Sequence, residues 1–563
     1  MHFIVYPRLV NCYVVGNKLD QLGLFFMRIA MAQINNTIGD FKSNSDAILK
    51  NCLKACEFGA DLVVFPECAI FGYSPADLLE RDSIIKAQTK FINQLVKKLP
   101  KDLYVLFGAI TDNKKAGKKY NNSALLVKKN KIVKVFSKEL LPNYDVFDEE
   151  RHFESGTLAG NTVKIKGKTF LVAVCEDIWG WKELNPFQHD HNPLKSFNKK
   201  IDAMLVLNAS PYSLQKSNAR VEVAKKCVKQ VKAPLMYVNM VGGQDELIFD
   251  GGSFAIDKSG KLLTQALYFQ EDLKIINLDK LKPITSKAPK VQPYEELRQA
   301  LVLGLRDFVN KIGMKKVHFG LSGGIDSALI ACLAVEAVGP NNVTALALPG
   351  PFSSKLSFDL AKKLAQNLSI DFKKVDFNKT YKAMISDFEK TFGKLKFGLV
   401  HENFQARIRG DILMGFSNLN SSLLLNTSNK SELTVGYSTL YGDLCGGISP
   451  IGDLTKQQVF ALCEHYNMNH ELIPKKIISR PPTAELKPNQ KDSDSLPPYN
   501  LLDKSIEKLV VNKKPATTAV DKRVLQMMMR SEFKRWQAPP ILRVSTHAFG
   551  QGRRMPIAHK AIY

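Results

Sequence analysis

The segment Lys316-Val-His-Phe-Gly-Leu-Ser-Gly-Gly-Ile-Asp-Ser-Ala328 constrains this chain more than any other stretch. An apolar strand pattern runs into Ser322-Gly323-Gly324 and then into a helical pattern. Glycines let backbone amides approach an anion closely, and the helix N-terminus that follows adds partial positive charge. Ser322 and Ser327 can donate hydroxyls to phosphate oxygens. Asp326 is out of place beside an anion unless it holds a magnesium ion, so the loop suits a magnesium-bound polyphosphate. Two rivals use the same residues. Gly320-Leu-Ser-Gly-Gly324 fits the G-x-S-x-G nucleophile elbow with Ser322 as nucleophile, and a bare tight turn would need the same glycines. No lysine follows them as in an ordinary nucleotide-binding P-loop.

The loop lies in the second of two α/β patterns. From Met27, apolar runs near 61–65, 103–109, 169–174, 203–207 and 235–239 alternate with helical-period stretches near 43–58, 84–98 and 217–231. Three prolines and no hydrophobic period mark 279–293 as a linker. A helix (294–312), a strand (316–321), a helix (326–338) and a strand (343–348) then restart the pattern as the beginning of a doubly wound parallel sheet. The expected organisation is one domain over 27–278 and a second over 294–563. Residues 480–498, rich in Pro, Asp and Lys, read as a long loop. Residues 1–26 make a poor signal peptide, interrupted by Arg8, Lys18 and Asp20. They are expected to be a dispensable N-terminal extension upstream of a start at Met27, the alternative being an ordered arm.

Composition sets the boundaries of function. A 563-residue chain with 45% hydrophobic and 24% charged residues can bury two or three cores and is too apolar to be disordered. No apolar window of membrane-spanning length occurs, so a soluble protein without a membrane partner is expected. The net charge of +25 favours anionic ligands. The basic residues, however, are scattered as pairs such as Lys97 and Lys98, which suits a solvated surface more than a nucleic-acid groove. Nine cysteines without regular spacing point to reduced thiols in the cytoplasm, and no pair of CxxC motifs points to zinc.

In the first pattern, Val63-Val-Phe-Pro-Glu67, Phe136-Ser-Lys138 and Val172-Ala-Val-Cys-Glu-Asp177 are apolar strands ending on a carboxylate, a lysine and a cysteine. Active residues collect at such strand ends. A Glu, a Lys and a Cys together make a base, an oxyanion stabiliser and a nucleophile. Taken singly, Cys175 reads as a small core residue and Glu67 and Lys138 as surface charges or an ion pair. The strings Phe65-Pro-Glu67, Lys138-Glu-Leu-Leu-Pro-Asn-Tyr-Asp-Val-Phe-Asp148 and Cys175-Glu-Asp-Ile-Trp179 resemble the nitrilase, or carbon-nitrogen hydrolase, family. That resemblance implies an α-β-β-α sandwich with Glu67, Lys138 and Cys175 catalytic and with Tyr144, Ser210 and Lys216 binding glutamine. Residues 181–200 are longer than the family pattern.

In the second pattern, SGGIDS resembles the pyrophosphate loop of the N-type ATP pyrophosphatases. His401-Glu-Asn-Phe-Gln-Ala-Arg-Ile-Arg409, residues 425–443, Ala484-Glu-Leu-Lys-Pro-Asn-Gln-Lys-Asp492, Phe533-Lys-Arg535 and Gly552-Arg-Arg-Met-Pro-Ile557 resemble the NAD synthetase family. The resemblance implies ATP at Gly320, Leu321, Ser322, Gly323, Gly324, Ile325, Asp326, Ser327 and Thr427. It places deamido-NAD at Asn403, Glu432 and Lys534, and Mg2+ at Asp326 and Glu432. Alone, an Asn, a Thr or a Lys at these positions would read as a cap, a turn or a solvated charge.

Over residues 27–557 the two halves together resemble the glutamine-dependent NAD synthetase family. The implied activity is glutamine hydrolysis in one domain, feeding ammonia along an enclosed path to an adenylated deamido-NAD in the other. A homo-oligomer acting on small molecules, without nucleic acid, is expected. Transfer-RNA modifying enzymes carry similar loops, but the cysteine motifs or RNA-binding appendages usual there are missing. A non-catalytic scaffold is disfavoured because every expected catalytic side chain is in place.

Overall fold

The computed structural model describes residues 26–184, 189–283, 292–559 and 561. The expected extension over 1–26 therefore lies, but for Phe26, outside the described residues, as does most of the linker. The chain divides into two units, Met1–Gly242 with Phe249–Lys290 and Gly243–Ile248 with Val291–Tyr563. Grouping Gly243–Ile248 with the second unit is a feature that a continuous domain over 27–278 does not anticipate.

Five strands open the first unit: β1 (Arg28–Gln33), β2 (Leu62–Val64), β3 (Tyr104–Asp112), β4 (Tyr120–Lys128) and β5 (Lys131–Ser137). Four more follow as β6 (Thr162–Ile165), β7 (Lys168–Val174), β8 (Ala203–Asn208) and β9 (Leu235–Asn239). After the hairpin β10 (Val241–Gln244) and β11 (Leu247–Asp250) come β12 (Phe254–Ile256), β13 (Leu262–Gln265), β14 (Asp272–Asn277) and β15 (Lys282–Pro283). Apart from the β10-β11 hairpin, they form a seven-stranded sheet, β15-β14-β1-β2-β3-β4-β5, and a six-stranded sheet, β13-β12-β9-β8-β7-β6. Strand periodicity decides the layers. Ile29, Met31, Val64 and Leu106 from one sheet pack against Val172, Val174, Leu205 and Leu207 from the other. The alternate residues Ala30, Ala32, Val63 and Val105 face α1 (Phe41–Glu57) and α2 (Asp82–Lys98). Leu171, Ala173, Met204 and Val206 share a cluster with Val223, Ala224, Cys227 and Val228. Those four lie on α4 (Lys216–Val231), which follows the short α3 (Pro193–Ser196). The result is the expected α-β-β-α sandwich.

The second unit runs α5 (Pro293–Lys311), β16 (Lys316–Gly320), α6 (Ile325–Val338), β17 (Val343–Ala347), α7 (Lys355–Asn367) and β18 (Asp371–Lys374). It continues with α8 (Asn378–Phe392), α9 (Leu399–Asn420), β19 (Ser422–Leu424), α10 (Lys430–Val435) and α11 (Lys456–Tyr466), followed by further helices up to Arg535. Its sheet has the order β18-β17-β16-β19, and every neighbouring pair is parallel. Successive strands step outward from β16 to β18, and the chain then crosses back to place β19 on the other side of β16. This reversal is the switch point at which doubly wound sheets open a crevice beyond their strand ends.

Candidate active sites

In the first unit Glu67, Lys138 and Cys175 follow the carboxyl ends of β2, β5 and β7, as the strand-end argument requires. Glu67 and Lys138 are 0% and 1% exposed, and Lys138 Nζ lies 2.7 Å from Glu67 Oε1. The same ammonium lies 2.9 Å from Glu149 Oε1, which also accepts a hydrogen bond of 2.8 Å from the Tyr73 hydroxyl. Asn122 Nδ2 donates to Glu67 Oε1 at 2.7 Å, and the Ala209 amide donates to Oε2 at 3.0 Å. Gly108 is required beside this turn, because a Cβ there would overlap the Cys68 amide nitrogen.

Cys175 is buried and begins a 3-10 turn with φ +43°, in the left-handed region that side chains rarely adopt. Asp177 explains how the turn is held. Its Oδ1 accepts from the Glu139 and Leu140 amides at 2.8 and 2.9 Å, and its Oδ2 accepts from the Val174 amide at 2.9 Å. One buried carboxyl thus ties the turn carrying Lys138 to the turn carrying Cys175, and burial raises its pKa to about 6 despite those amides. Burial and the Glu67 carboxylate push the Cys175 thiol well above its ordinary value. A thiol in that environment stays protonated and needs a base to become a nucleophile. Burial works against the Lys138 charge, but Glu149 and Glu67 outweigh it and keep the group an ammonium.

Of the three residues expected to bind glutamine, Tyr144 and Lys216 lie close enough to Cys175 to feel its charge, and Ser210 follows Ala209, whose amide binds Glu67. The Tyr144 hydroxyl donates to Glu176 Oε1 at 3.0 Å. Burial and Arg220 lower Lys216 to about 8, offset in part by Cys175 and Glu176. Ser210 is buried, and its hydroxyl and carbonyl both accept from Arg220, at 3.2 and 2.8 Å. Arg220 in turn pairs through Nη1 with both oxygens of Asp250 at 2.7 Å. A buried carboxylate and an ammonium flanking a thiol match the two charges of a free α-amino acid.

Glu149, Tyr73, Asn122, Asp177, Glu176 and Arg220 carry much of this geometry and were not singled out in the sequence. Glu149 has one available signal, directly following the family-like string Lys138–Asp148 in the acidic run Asp148-Glu149-Glu150. Glu176 and Asp177 lay inside the string that pointed to Cys175. Tyr73, Asn122 and Arg220 had none.

The second site lies at the switch point between β16 and β19. Gly323 adopts φ +77°, and a Cβ there would overlap the Ser357 carbonyl oxygen, so this position demands glycine. The Ser322 and Ser327 hydroxyls are 3.1 Å apart, and the Gly324 amide donates to Ser322 Oγ at 3.2 Å. Ser322 hydrogen-bonds to Ser327 and Gly324 and, among the described residues, to no histidine, so the geometry gives the hydrolase-elbow reading no support. A cavity of about 310 Å³ is lined by the expected loop residues except Gly323, together with Thr427 and Glu432.

Two helix caps deliver charge to that cavity. Asn429 caps α10 and Glu432 reaches back to its amide. Thr455 caps α11 and thereby sets Lys456 at its first position. Lys456 Nζ lies 2.6 Å from Asp326 Oδ2 and 3.2 Å from Glu432 Oε1, and Asn429 Nδ2 donates to Asp326 Oδ1 at 2.9 Å. Burial raises the Glu432 carboxyl, partly relieved by Lys456 and aggravated by Asp326 and Asp492. Burial likewise raises Asp492. Three carboxylates thus face one ammonium, and the surplus negative charge together with hard oxygen donors fits a divalent cation such as magnesium.

The irregular segment 480–486 also lines this cavity. Arg480 donates to the Gly323 carbonyl and to Ser357 Oγ, both at 2.7 Å, and Glu485 accepts from Ser357 Oγ at 2.6 Å. Asn403 and Lys534 stand apart from the cavity lining. Asn403 Oδ1 accepts from Thr439 Oγ1 at 2.9 Å, and Lys534 Nζ donates to the Gly436 and Ser438 carbonyls at 2.8 and 2.6 Å. Both brace residues 436–443, of which Tyr437, Gly442 and Asp443 line the cavity. Lys456, Asp492 and Arg480 were not anticipated as site residues. No motif precedes Lys456; Asp492 closes the family-like string 484–492 without a role of its own in the sequence, and Arg480 opens a stretch that reads as a loop.

These features define a class: a cysteine amidohydrolase sandwich joined in one chain to a nucleotide-binding doubly wound domain. Residues 28–282 match the carbon-nitrogen hydrolase family and residues 297–538 match the NAD synthase family. The chain is 41% identical to a glutamine-dependent NAD(+) synthetase of Synechocystis sp., over 94% of this chain and 98% of that protein. It is 37% identical to one of Acinetobacter baylyi, over 94% and 98% of the two chains. The solved glutamine-dependent NAD+ synthetase of Acinetobacter baumannii, in complex with ADP, superposes with TM-score 0.75 at 34% identity, covering 95% of this chain and 98% of that one. The chain belongs to the glutamine-dependent NAD(+) synthetase family.

Proposed function

We infer that the protein hydrolyses glutamine and uses the ammonia to convert deamido-NAD to NAD at the expense of ATP. The observation that carries the first half is the buried Lys138 bridging Glu67 and Glu149 beside Cys175. Glu67 takes the thiol proton and the thiolate attacks the carboxamide carbon of glutamine. The Lys138 ammonium stabilises the oxyanion. Ammonia leaves with the proton held by Glu67, and water activated by the same carboxylate cleaves the glutamyl thioester to glutamate. Glu176 and Tyr144 receive the α-ammonium of glutamine, Lys216 its α-carboxylate, and Ser210 completes the pocket.

In the second unit the amides and hydroxyls of Gly320–Ser327 hold the phosphates of ATP, with Thr427 beside them. The nicotinate carboxylate of deamido-NAD, bound by Glu432 and by the 436–443 segment that Asn403 and Lys534 support, attacks the α-phosphorus and pyrophosphate leaves. Ammonia then attacks the acyl carbon and AMP departs. Asp326 and Glu432 are the residues that would hold magnesium, which when bound neutralises phosphate charge. Lys456 adds a fixed positive charge at the same place.

Exposed apolar side chains such as Phe392, Leu399 and Leu419, on α8 and α9, support a homo-oligomer. The described cysteines are all free thiols, which supports a cytoplasmic location. Among the described residues no helix is long and apolar enough to cross a membrane. The deciding experiment is steady-state NAD formation from deamido-NAD and ATP with magnesium, supplying glutamine or ammonium in turn. Absence of product with both would refute the function, and light scattering would test the oligomer.

A further inference from the structure

The turns that carry Lys138 and Cys175 each continue into a glutamate, Glu139 and Glu176, and the segment His189-Asp190-His191 reaches both. His189 Nε2 lies 2.8 Å from Glu176 Oε1, with the two side chains 9% and 5% exposed. His191 Nε2 lies 2.8 Å from Glu139 Oε1, whose Oε2 accepts from the Leu158 amide at 2.6 Å. Immediately after His191, Asn192 caps α3 by accepting from the Leu194 amide at 2.9 Å, which anchors the segment at its far side. The histidines lie within 181–200, the stretch that reads in the sequence as longer than the carbon-nitrogen hydrolase pattern.

We propose that His189 is a positioning residue for glutamine, fixing the Glu176 carboxylate for the α-ammonium, while His191 secures the same segment to Glu139. Glu176 Oε1 accepts from both Tyr144 and His189. Its other oxygen has no hydrogen bond among the described residues. Two donors on one oxygen fix the plane of the carboxylate and leave the second oxygen for a substrate ammonium. Without His189, Tyr144 alone would hold a carboxylate free to rotate, and the cost would fall on binding the amino-acid end of glutamine, not on attack at its amide. The inference rests on the glutamine reading of the first site and adds to it the residue that orders the pocket.

The test compares His189→Ala, His189→Gln and Glu176→Gln with the parent full-length protein, using glutamate release and normalising to ammonium-dependent NAD synthesis by the same preparation. A hydrogen bond to a charged group sets the scale, so His189→Ala should raise the glutamine KM about tenfold with kcat within about twofold. His189→Gln keeps a donor at that reach and should recover most of the loss. Protection of Cys175 from iodoacetamide by glutamine should shift to about tenfold higher glutamine in His189→Ala. An unchanged KM in His189→Ala, or a fall confined to kcat, would overturn the proposal. If Glu176→Gln also left KM unchanged, the error would lie in assigning Glu176 to the ammonium. If Glu176→Gln raised KM and His189→Ala did not, the positioning role alone would fail.

Discussion

Both sites set one buried lysine between carboxylates, and they differ in what surrounds it. In the first unit Lys138, Glu67 and Glu149 are 1%, 0% and 3% exposed. In the second, Lys456 is 2% exposed, but its partners Asp326 and Glu432 are 20% and 17% exposed and line the cavity. A closed arrangement holds its protons and charges in place before any substrate arrives, which suits acid-base chemistry on a thiol. An open one, with more carboxylate than ammonium, is completed by ligands. Similar residues therefore yield a preorganised catalyst in one unit and a charge-hungry binding site in the other.

The sharpest way to break the comparison is Cys175→Ala. If the closed site exists only to open an amide, glutamine-dependent NAD synthesis should fall by at least about 10³-fold. Ammonium-dependent synthesis should persist. Circular dichroism should show the fold intact, since the change removes one sulfur from the core. Glutamate release at the parental rate would make Cys175 a core residue only.

Asp326→Asn attacks the open site. Its carboxylate pairs with Lys456 and is one of the two residues we propose for magnesium. NAD formation should fall by roughly 10²- to 10³-fold with either nitrogen source, on the scale of lost electrostatic stabilisation. Glutamate release in the same variant should survive, and full ammonium-dependent synthesis would remove Asp326 from the mechanism.

The two sites were also unequally legible in the sequence. Glu67, Lys138 and Cys175 each end an apolar strand, yet singly they read as core or surface residues, and it is the nitrilase-like strings around them that mark them; the apolar runs predict α/β structure, and the resemblance supplies the sandwich. Glu149 and Tyr73 are not marked in this way, because Glu149 reaches Lys138 from a single 3-10 turn and Tyr73 reaches Glu149 from a loop. In the second unit the glycine loop is legible since φ +77° at Gly323 and the overlap with Ser357 leave no other residue possible. Lys456 is hidden, because a helix cap far along the chain supplies it, and only the folded sheet brings it to Asp326. Charges delivered by caps and loops are set by tertiary structure, and local patterns do not encode them.

Glu149→Gln tests whether the closed site needs both of its carboxylates. Glu149 helps keep Lys138 charged against burial, although burial raises its own carboxyl against the pull of that lysine. Gln retains an acceptor for Nζ but loses the charge. The glutaminase kcat should fall about 10- to 100-fold with little change in KM, while ammonium-dependent synthesis is unaffected. A variant with parental kcat would mean that Glu67 alone sustains the ammonium.

The smallest effect should come from pH, and it runs in opposite directions for the two nitrogen sources. Burial and Arg220 hold Lys216 at about 8, below the value of an exposed lysine. Its ammonium, proposed to meet the α-carboxylate of glutamine, is lost as pH rises through 8. The glutamine kcat/KM, which reports groups of the free enzyme, should decline above that point, by roughly tenfold at one pH unit beyond it if the neutral lysine does not bind. Ammonium-dependent synthesis should rise over the same interval because the free base becomes more abundant. Unfolding does not supply the decline. With its folded pKa depressed, Lys216 binds fewer protons folded than unfolded between about 8 and its ordinary value, so its contribution to stability grows with pH there. Lys216→Arg keeps the charge to far higher pH and should remove this limb from the glutamine profile. An unchanged limb in that variant would transfer the ionisation to another group and leave Lys216 outside glutamine recognition.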